Sequence, residues 1–197
     1  MNPCSRTAEV NRSTKETNIQ ACVWIDEPQS TNISTGIGFL NHMLEAFAKH
    51  SGISIQLSCQ GDLDVDGHHT SEDCALVLGS AIDRALGDRR GIKRFGQAYV
   101  PMDEALVRVV IDLSGRPYAV VNLGFKREKI GQLATENITH IFKSLAVSLR
   151  GSIHVDCLRG ENDHHRSEAA FKALALAIRE AIQQTNQSEI PSTKGIL

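Results

Sequence analysis

The sequence predicts a chain of mixed strands and helices folded as two similar halves. Three observations carry this. Apolar residues fall at every second position in several short stretches, the pattern of half-buried strands. Four longer stretches show apolar residues three and four apart, as on one face of a helix. The run His68-His69-Thr70-Ser71-Glu72 also returns as His164-His165-Arg166-Ser167-Glu168, ninety-six positions later.

The elements follow in order. Ile19, Ala21, Val23 and Ile25 alternate and mark a strand, which leads to a helix over about residues 39–50. Ile53, Ile55 and Leu57 mark the next strand. A helix near 70–86 follows, with Ala75, Leu78, Gly79, Ile82 and Leu86 on one apolar stripe. After the basic, glycine-bounded loop 87–96, alternation resumes at Ala105, Val107, Val109 and Ile111, and PYAVVNLG (117–124) reads as a further strand. A helix over about 135–149, the β-branched strand SIHVDC (152–157) and a last helix near 165–184 complete the order.

Laying residues 67–86 on 163–182 gives identity at His68, His69, Ser71, Glu72, Leu78, Ala81, Ile82 and Ala85, eight of twenty positions. One helix earlier, each half carries a lone histidine, His42 and His140, 98 positions apart. Two landmarks repeating at nearly the same spacing are the mark of an internal duplication. The expected parts are residues 1–90, 91–186 and a C-terminal tail 187–197.

Composition narrows the function classes. A net charge of −2 over 197 residues provides no global field for nucleic acid or an anionic membrane. Aromatic residues make up only 5 %, too few for base-stacking platforms. The five cysteines, Cys4, Cys22, Cys59, Cys74 and Cys157, are odd in number and lack C-x-x-C pairing, which predicts reduced thiols in a cytoplasmic compartment. The N-terminal stretch lacks the apolar core of a secretory signal, and no apolar run approaches the roughly 20 residues of a spanning helix.

The doubled motif carries the chemistry. His68 and Glu72 stand at i and i+4, as do His164 and Glu168, so each pair shares a helix face and can grip one cation. His69 and His165 project about 100° around the helix, toward a different cation. With His42 and His140, six imidazoles and two carboxylates divide into two sites of three imidazoles and one carboxylate. A single histidine pair at a helix start is more often a solvated cap; the second copy with the same glutamate moves the reading to metal. These ligands suit manganese, iron, zinc or nickel about equally. Asp62, Asp64, Asp66 and Asp73 imitate a calcium loop, but ISIQLSC ahead of them reads as a strand and the twelfth loop residue is not glutamate. Asp62, Asp64 and Asp66 are expected on the solvated side of a strand. Arg94, Arg116 and Lys194 lie beside glycine or proline, and Ser192 and Thr193 add hydroxyls, a set suited to phosphate.

GIGFLNHMLEAFAKH, GDLDVDGHHTSEDCALVLG, RFGQAYVPMDEALVRVVIDLSGRPY, HHRSEAAFKALALAIREA and PSTKGIL together resemble the imidazoleglycerol-phosphate dehydratase family, from about Glu16 to the C-terminus. The resemblance implies an α+β fold of two similar lobes, each a sheet backed by two helices. It implies a hydro-lyase of histidine biosynthesis that dehydrates imidazoleglycerol phosphate, a phosphorylated imidazole, in a 24-subunit homo-oligomer. Two Mn(II) ions per subunit would be held by His42, His68, His69, Glu72, His140, His164, His165 and Glu168, with active sites at subunit contacts. Glu16, His42, His68, Arg94, Arg116, His164, Lys172, Ser192 and Lys194 carry over as substrate contacts, the tail among them. Glu16, Glu72 and Glu168 carry over as catalytic, Glu16 as the acid–base group. Asn41 and Gly67 depart from the acidic residues expected ahead of the metal histidines. Two other readings fit the paired metals: a dinuclear hydrolase acting on a phosphate ester, and a metal-buffering shell.

Overall fold

The structure, a computed structural model, describes residues 5–197. Cys4, one of the thiols expected to stay reduced, lies outside them. The first half runs β1 (Thr7–Ser13), β2 (Thr17–Trp24), β3 (Asn32–Ser34), α1 (Gly38–Ser51), β4 (Ser54–Gly61) and α2 (His68–Leu86). The second runs β5 (Phe95–Met102), β6 (Ala105–Asp112), β7 (Tyr118–Asn122), a small hairpin of β8 (Lys129–Ile130) and β9 (Leu133–Ala134), then α3 (Thr135–Leu149), β10 (Ser152–Arg159) and α4 (Asp163–Ala181).

The same wiring occurs twice. One sheet has the order β1-β2-β4-β3 and the other β5-β6-β10-β7. In each, the first three strands are antiparallel and the last joins in parallel. Among the described residues, the β8–β9 hairpin has no counterpart in the first half. The alternation explains the inner strands: β2 turns Thr17, Ile19, Ala21 and Val23 inward, and β6 turns Ala105, Val107, Val109 and Ile111 inward.

Each sheet is backed by the two helices of its own half, α1 and α2 on the first and α3 and α4 on the second. The helices then pack across the halves, α1 on α4 and α2 on α3. Leu44 and Phe47 of α1, Leu78 of α2, Leu145 of α3, and Phe171 and Leu174 of α4 meet where the four converge. Burying side chains of this size stabilises the fold by about 1.5–3 kcal/mol each. Gly79 permits the close approach of α2 to α3: a Cβ there would stand 2.0 Å from Ser148 Oγ.

Three strands escape the alternation pattern. β1 buries only Val10, β3 is three residues long, and β5 turns Phe95 and Tyr99 outward and carries Pro101. One expectation is corrected. Asp62, Asp64 and Asp66 do not line a strand, because β4 ends at Gly61 and residues 62–66 form a turn closed by the Val65 N–H on the Asp62 carbonyl at 2.8 Å. A Cβ at Gly61 would stand 2.0 Å from Thr70 Oγ1, so α2 crosses close to this strand end. The strand ahead of the turn leaves no entering helix for a calcium loop.

Candidate metal centres

Both histidine pairs occupy the first turn of a helix, and local capping puts them there. The Asp66 carboxylate accepts the His68 N–H at 2.7 Å, and the Asn162 side chain accepts the His164 N–H at 2.9 Å. One helical turn later, Glu72 and Glu168 come under the first histidine of each pair.

The cross-packing of helices then completes two clusters. His42 of α1 and His164 of α4 bring Nε2 to 3.3 and 3.2 Å from the same Glu168 Oε2. His68 of α2 and His140 of α3 bring Nε2 to 3.7 and 3.2 Å from the two oxygens of Glu72. In each cluster the three potential ligand atoms lie within 4.8 Å of one another. Each cluster therefore takes its lone histidine from the opposite half of the chain.

The donors suit a cation. His140 Nε2 stands 3.2 Å from Glu72 but off the line of a hydrogen bond, so this buried nitrogen has no satisfied partner. An orphaned buried polar atom is costly, and an ion between it and the carboxylate would remove the cost. His68 Nδ1 lies 3.1 Å from Asn137 Oδ1. That carbonyl can only accept, so Nδ1 carries the proton and Nε2 keeps its lone pair for the cluster. Burial pushes the Glu168 carboxyl up, but the Lys172 ammonium at 2.7 Å, with help from His42, more than offsets this and leaves it below the usual range.

His69 and His165 join neither cluster of their own chain. Their rings stand 6.0 and 6.1 Å from those of His68 and His164, nearly perpendicular to them. His69 Nδ1 meets Asp62 at 3.0 Å, and its Nε2 faces Glu16 Oε1 at 3.7 Å. His165 Nδ1 meets Glu104 at 2.7 Å, and its Nε2 faces Asp103 Oδ2 at 3.6 Å. Hydrogen bonds to Asp62 and to Glu104 hold the two imidazolium forms and raise both pKa values.

The basic residues gather elsewhere, around the tail. Arg94 forks onto Asp112 at 2.7 and 3.1 Å and donates to the Pro191 carbonyl at 2.9 Å. Two of its five N–H donors remain for a ligand. Ser192 and Lys194 follow in a turn closed by the Gly195 N–H on the Ser192 carbonyl at 3.0 Å. The chain end returns to the loop bearing Arg116: a Cβ on Gly115 would stand 2.4 Å from the Leu197 carbonyl carbon, and Arg150 donates to the Leu197 oxygen at 3.2 Å. Lys172 is not in this group; its ammonium is held at Glu168.

A sequence profile of the imidazoleglycerol-phosphate dehydratase family matches residues 35–178. The chain belongs to that family. It is 56 % identical over 197 residues to the imidazoleglycerol-phosphate dehydratase of Phaffia rhodozyma, covering 98 % of this chain and 96 % of that one. The dehydratase of Candida glabrata is 54 % identical, with 96 % and 99 % covered. The solved dehydratase of Pyrococcus furiosus superposes with a TM-score of 0.84 at 38 % identity, covering 95 % of this chain and all of that one. That of Staphylococcus aureus gives 0.82 at 37 % identity, with 91 % and 99 % covered. The chain is accordingly an enzyme, a carbon–oxygen hydro-lyase with the duplicated α+β fold of the imidazoleglycerol-phosphate dehydratases.

Three residues around the clusters escaped the sequence reading: Asn137 at His68, Asp62 at His69 and Glu104 at His165. Glu104 had a signal. The β5–β6 hairpin repeats the β1–β2 hairpin at an offset of 88, which sets Glu104 on Glu16. Of the two departures, Asn41 uses its Oδ1 to accept from Thr35 N and Oγ1 at 2.9 and 2.6 Å, holding the loop ahead of α1. Gly67 opens α2 with its backbone alone.

Proposed function

We propose that this hydro-lyase converts D-erythro-imidazoleglycerol phosphate to imidazole acetol phosphate and water in L-histidine biosynthesis, in the cytoplasm, with two Mn(II) ions per subunit. One observation carries the dinuclear reading: each cluster has two imidazoles and a carboxylate, while His69 and His165 turn Nε2 away from both clusters of their own chain. A neighbouring copy supplies the third imidazole to each site, so the enzyme works as a homo-oligomer, of 24 copies by family resemblance.

Bound Mn(II) supplies a Lewis acid and a template for the substrate imidazole. His42, His164 and Glu168 hold one ion and His68, Glu72 and His140 the other, each completed by His69 or His165 of a neighbour. His42, His68 and His164 border the space where the imidazole binds, and Lys172 keeps Glu168 ionised beside it. Arg94, Arg116, Ser192 and Lys194 grip the phosphate and fix the glycerol chain, which is positioning catalysis. Glu16 removes the proton from the carbon next to the departing hydroxyl; the resulting enol relaxes to the ketone.

The test is turnover of imidazoleglycerol phosphate by the purified protein with added Mn(II), reading the ketone product. Release of inorganic phosphate without ketone would instead identify a phosphate-ester hydrolase. Metal binding with no turnover of either kind would identify a metal buffer.

A further inference from the structure

We infer that Asp62 and Glu104 are positioning residues that accept the Nδ1–H of His69 and of His165 and thereby leave each Nε2 turned outward as a bare metal ligand. This rests on the metal reading above. A neutral imidazole has one protonated and one bare nitrogen, and the acceptor it meets decides which is which. Asp62 meets His69 Nδ1 with both oxygens, at 3.2 and 3.0 Å, and Glu104 meets His165 Nδ1 at 2.7 Å. Both carboxylates are themselves fixed. The Asp62 N–H donates to the Glu16 carbonyl at 3.1 Å, tying its turn to the β1–β2 hairpin. Glu104 accepts the Glu161 and Asn162 amides at 3.0 and 2.8 Å, tying its hairpin to the start of α4.

The two residues are not copies of each other. The strands β4 and β10 correspond at an offset of 98, which sets Gly160 opposite Asp62, and the hairpin offset of 88 sets Glu16 opposite Glu104. One geometric need is met from two different places in the repeat. In the first half the turn supplies the carboxylate, which leaves Glu16 at the hairpin tip unspent.

Among the described residues the Asp62 carboxylate hydrogen-bonds only to His69, so its substitution is the cleaner probe. Mn(II) binding to the purified full chain would be titrated by the electron paramagnetic resonance signal of the free ion. The parent should bind two ions. Asp62→Ala should weaken one of them about 10–100-fold, while Asp62→Asn, which keeps an oxygen acceptor for Nδ1–H, should recover most of the loss. Glu104→Ala should repeat the loss at the other ion; Glu104→Gln, whose one oxygen is needed by the Glu161 and Asn162 amides, should recover less than Asp62→Asn does. Parent-like affinity in both alanine variants would overturn the inference. So would equal losses in Asp62→Ala and Asp62→Asn, which would assign the effect to charge. A parent that binds no Mn(II) would overturn the metal reading as well.

Discussion

Glu16 and Glu104 occupy the same position in the two hairpins of the repeat, and their surroundings differ completely. Glu104 accepts two backbone amides and the His165 ring. The Asn162 amide, His165 and the Glu161 amide hold its pKa down to about 2. Its stabilising effect is therefore present above the ordinary carboxylate value and is lost only as pH falls toward 2. Glu16 is 53 % exposed, and the nearest charged group to its carboxylate is His69 Nε2 at 3.7 Å. A carboxylate saturated with donors makes a poor base, whereas an exposed one remains available to a substrate. On the proposed function, the duplication would have put one inherited carboxylate to structure and the other to chemistry.

The largest expected effect breaks or upholds that division. Glu16→Gln keeps the shape but removes the base, so turnover should fall by about 10²–10⁴-fold with metal content and particle mass unchanged. Glu104→Gln keeps one oxygen for the two amides but turns an NH2 donor toward His165 Nδ1. Because it leaves Glu16 in place, its turnover should fall far less. Equal losses in the two variants, seen in steady-state rates at saturating Mn(II), would return the two hairpins to the same role.

Next in size is the metal count. Because each cluster joins one histidine–glutamate pair to the lone histidine of the other half, His68→Ala and His164→Ala should each leave one Mn(II) of two per chain. Elemental analysis after removal of excess ion reads this directly. Loss of both ions from either variant would mean the clusters are not independent.

How much of this was legible in the sequence follows from the range of each interaction. The inner strands and the four helices were readable because burial imposes a period on them. β1, β3 and β5 were not: Val10 alone faces the core from β1, and Phe95 and Tyr99 of β5 face outward. The histidines and glutamates stood out by their doubled spacing, but their partition did not. Whether His42 meets Glu72 or Glu168 depends on α1 crossing α4, and no local pattern encodes a helix crossing. Asp62 and Glu104 were hidden for the same reason, since each acts through a ring on another element.

Acid and chelation probe both halves together. The ions would bridge copies, so a strong chelator should convert the large particle to a smaller oligomer, and Mn(II) should restore it. Light scattering measures the mass. Ligation needs a proton-free Nε2, and Asp62 and Glu104 raise the pKa of His69 and His165 above the ordinary 6.5. The ion competes with the proton for that nitrogen, so the metal-bound particle should persist through those raised values and dissociate only at lower pH. In metal-free protein the sign reverses: the two ion pairs stabilise the fold fully below 6.5, and their contribution is lost as pH rises through the folded-state values. A particle of unchanged mass when metal-free would confine the ions to catalysis.

The smallest effect concerns Gly79 and Ala175, which share a position in the repeat, ninety-six residues apart. A methyl group on Gly79 would meet Ser148 Oγ at 2.0 Å, Leu149 N at 3.0 Å and Leu145 O at 3.1 Å. The serine can rotate away, but the two backbone atoms can move only if α3 shifts. Overpacking of this kind costs about 1–3 kcal/mol. Replacing a helical glycine by alanine returns about 1 kcal/mol, so Gly79→Ala should destabilise by about 1 kcal/mol. Ala175 is fully buried in α4. Ala175→Gly gives up the helical preference and a buried methyl, together about 1–2 kcal/mol. Each half should thus reject the residue of the other, and urea unfolding of the metal-free chain can read both changes. Stabilisation by Gly79→Ala would show that α2 and α3 have room to spare, and the asymmetry between the halves would then stop at the hairpins.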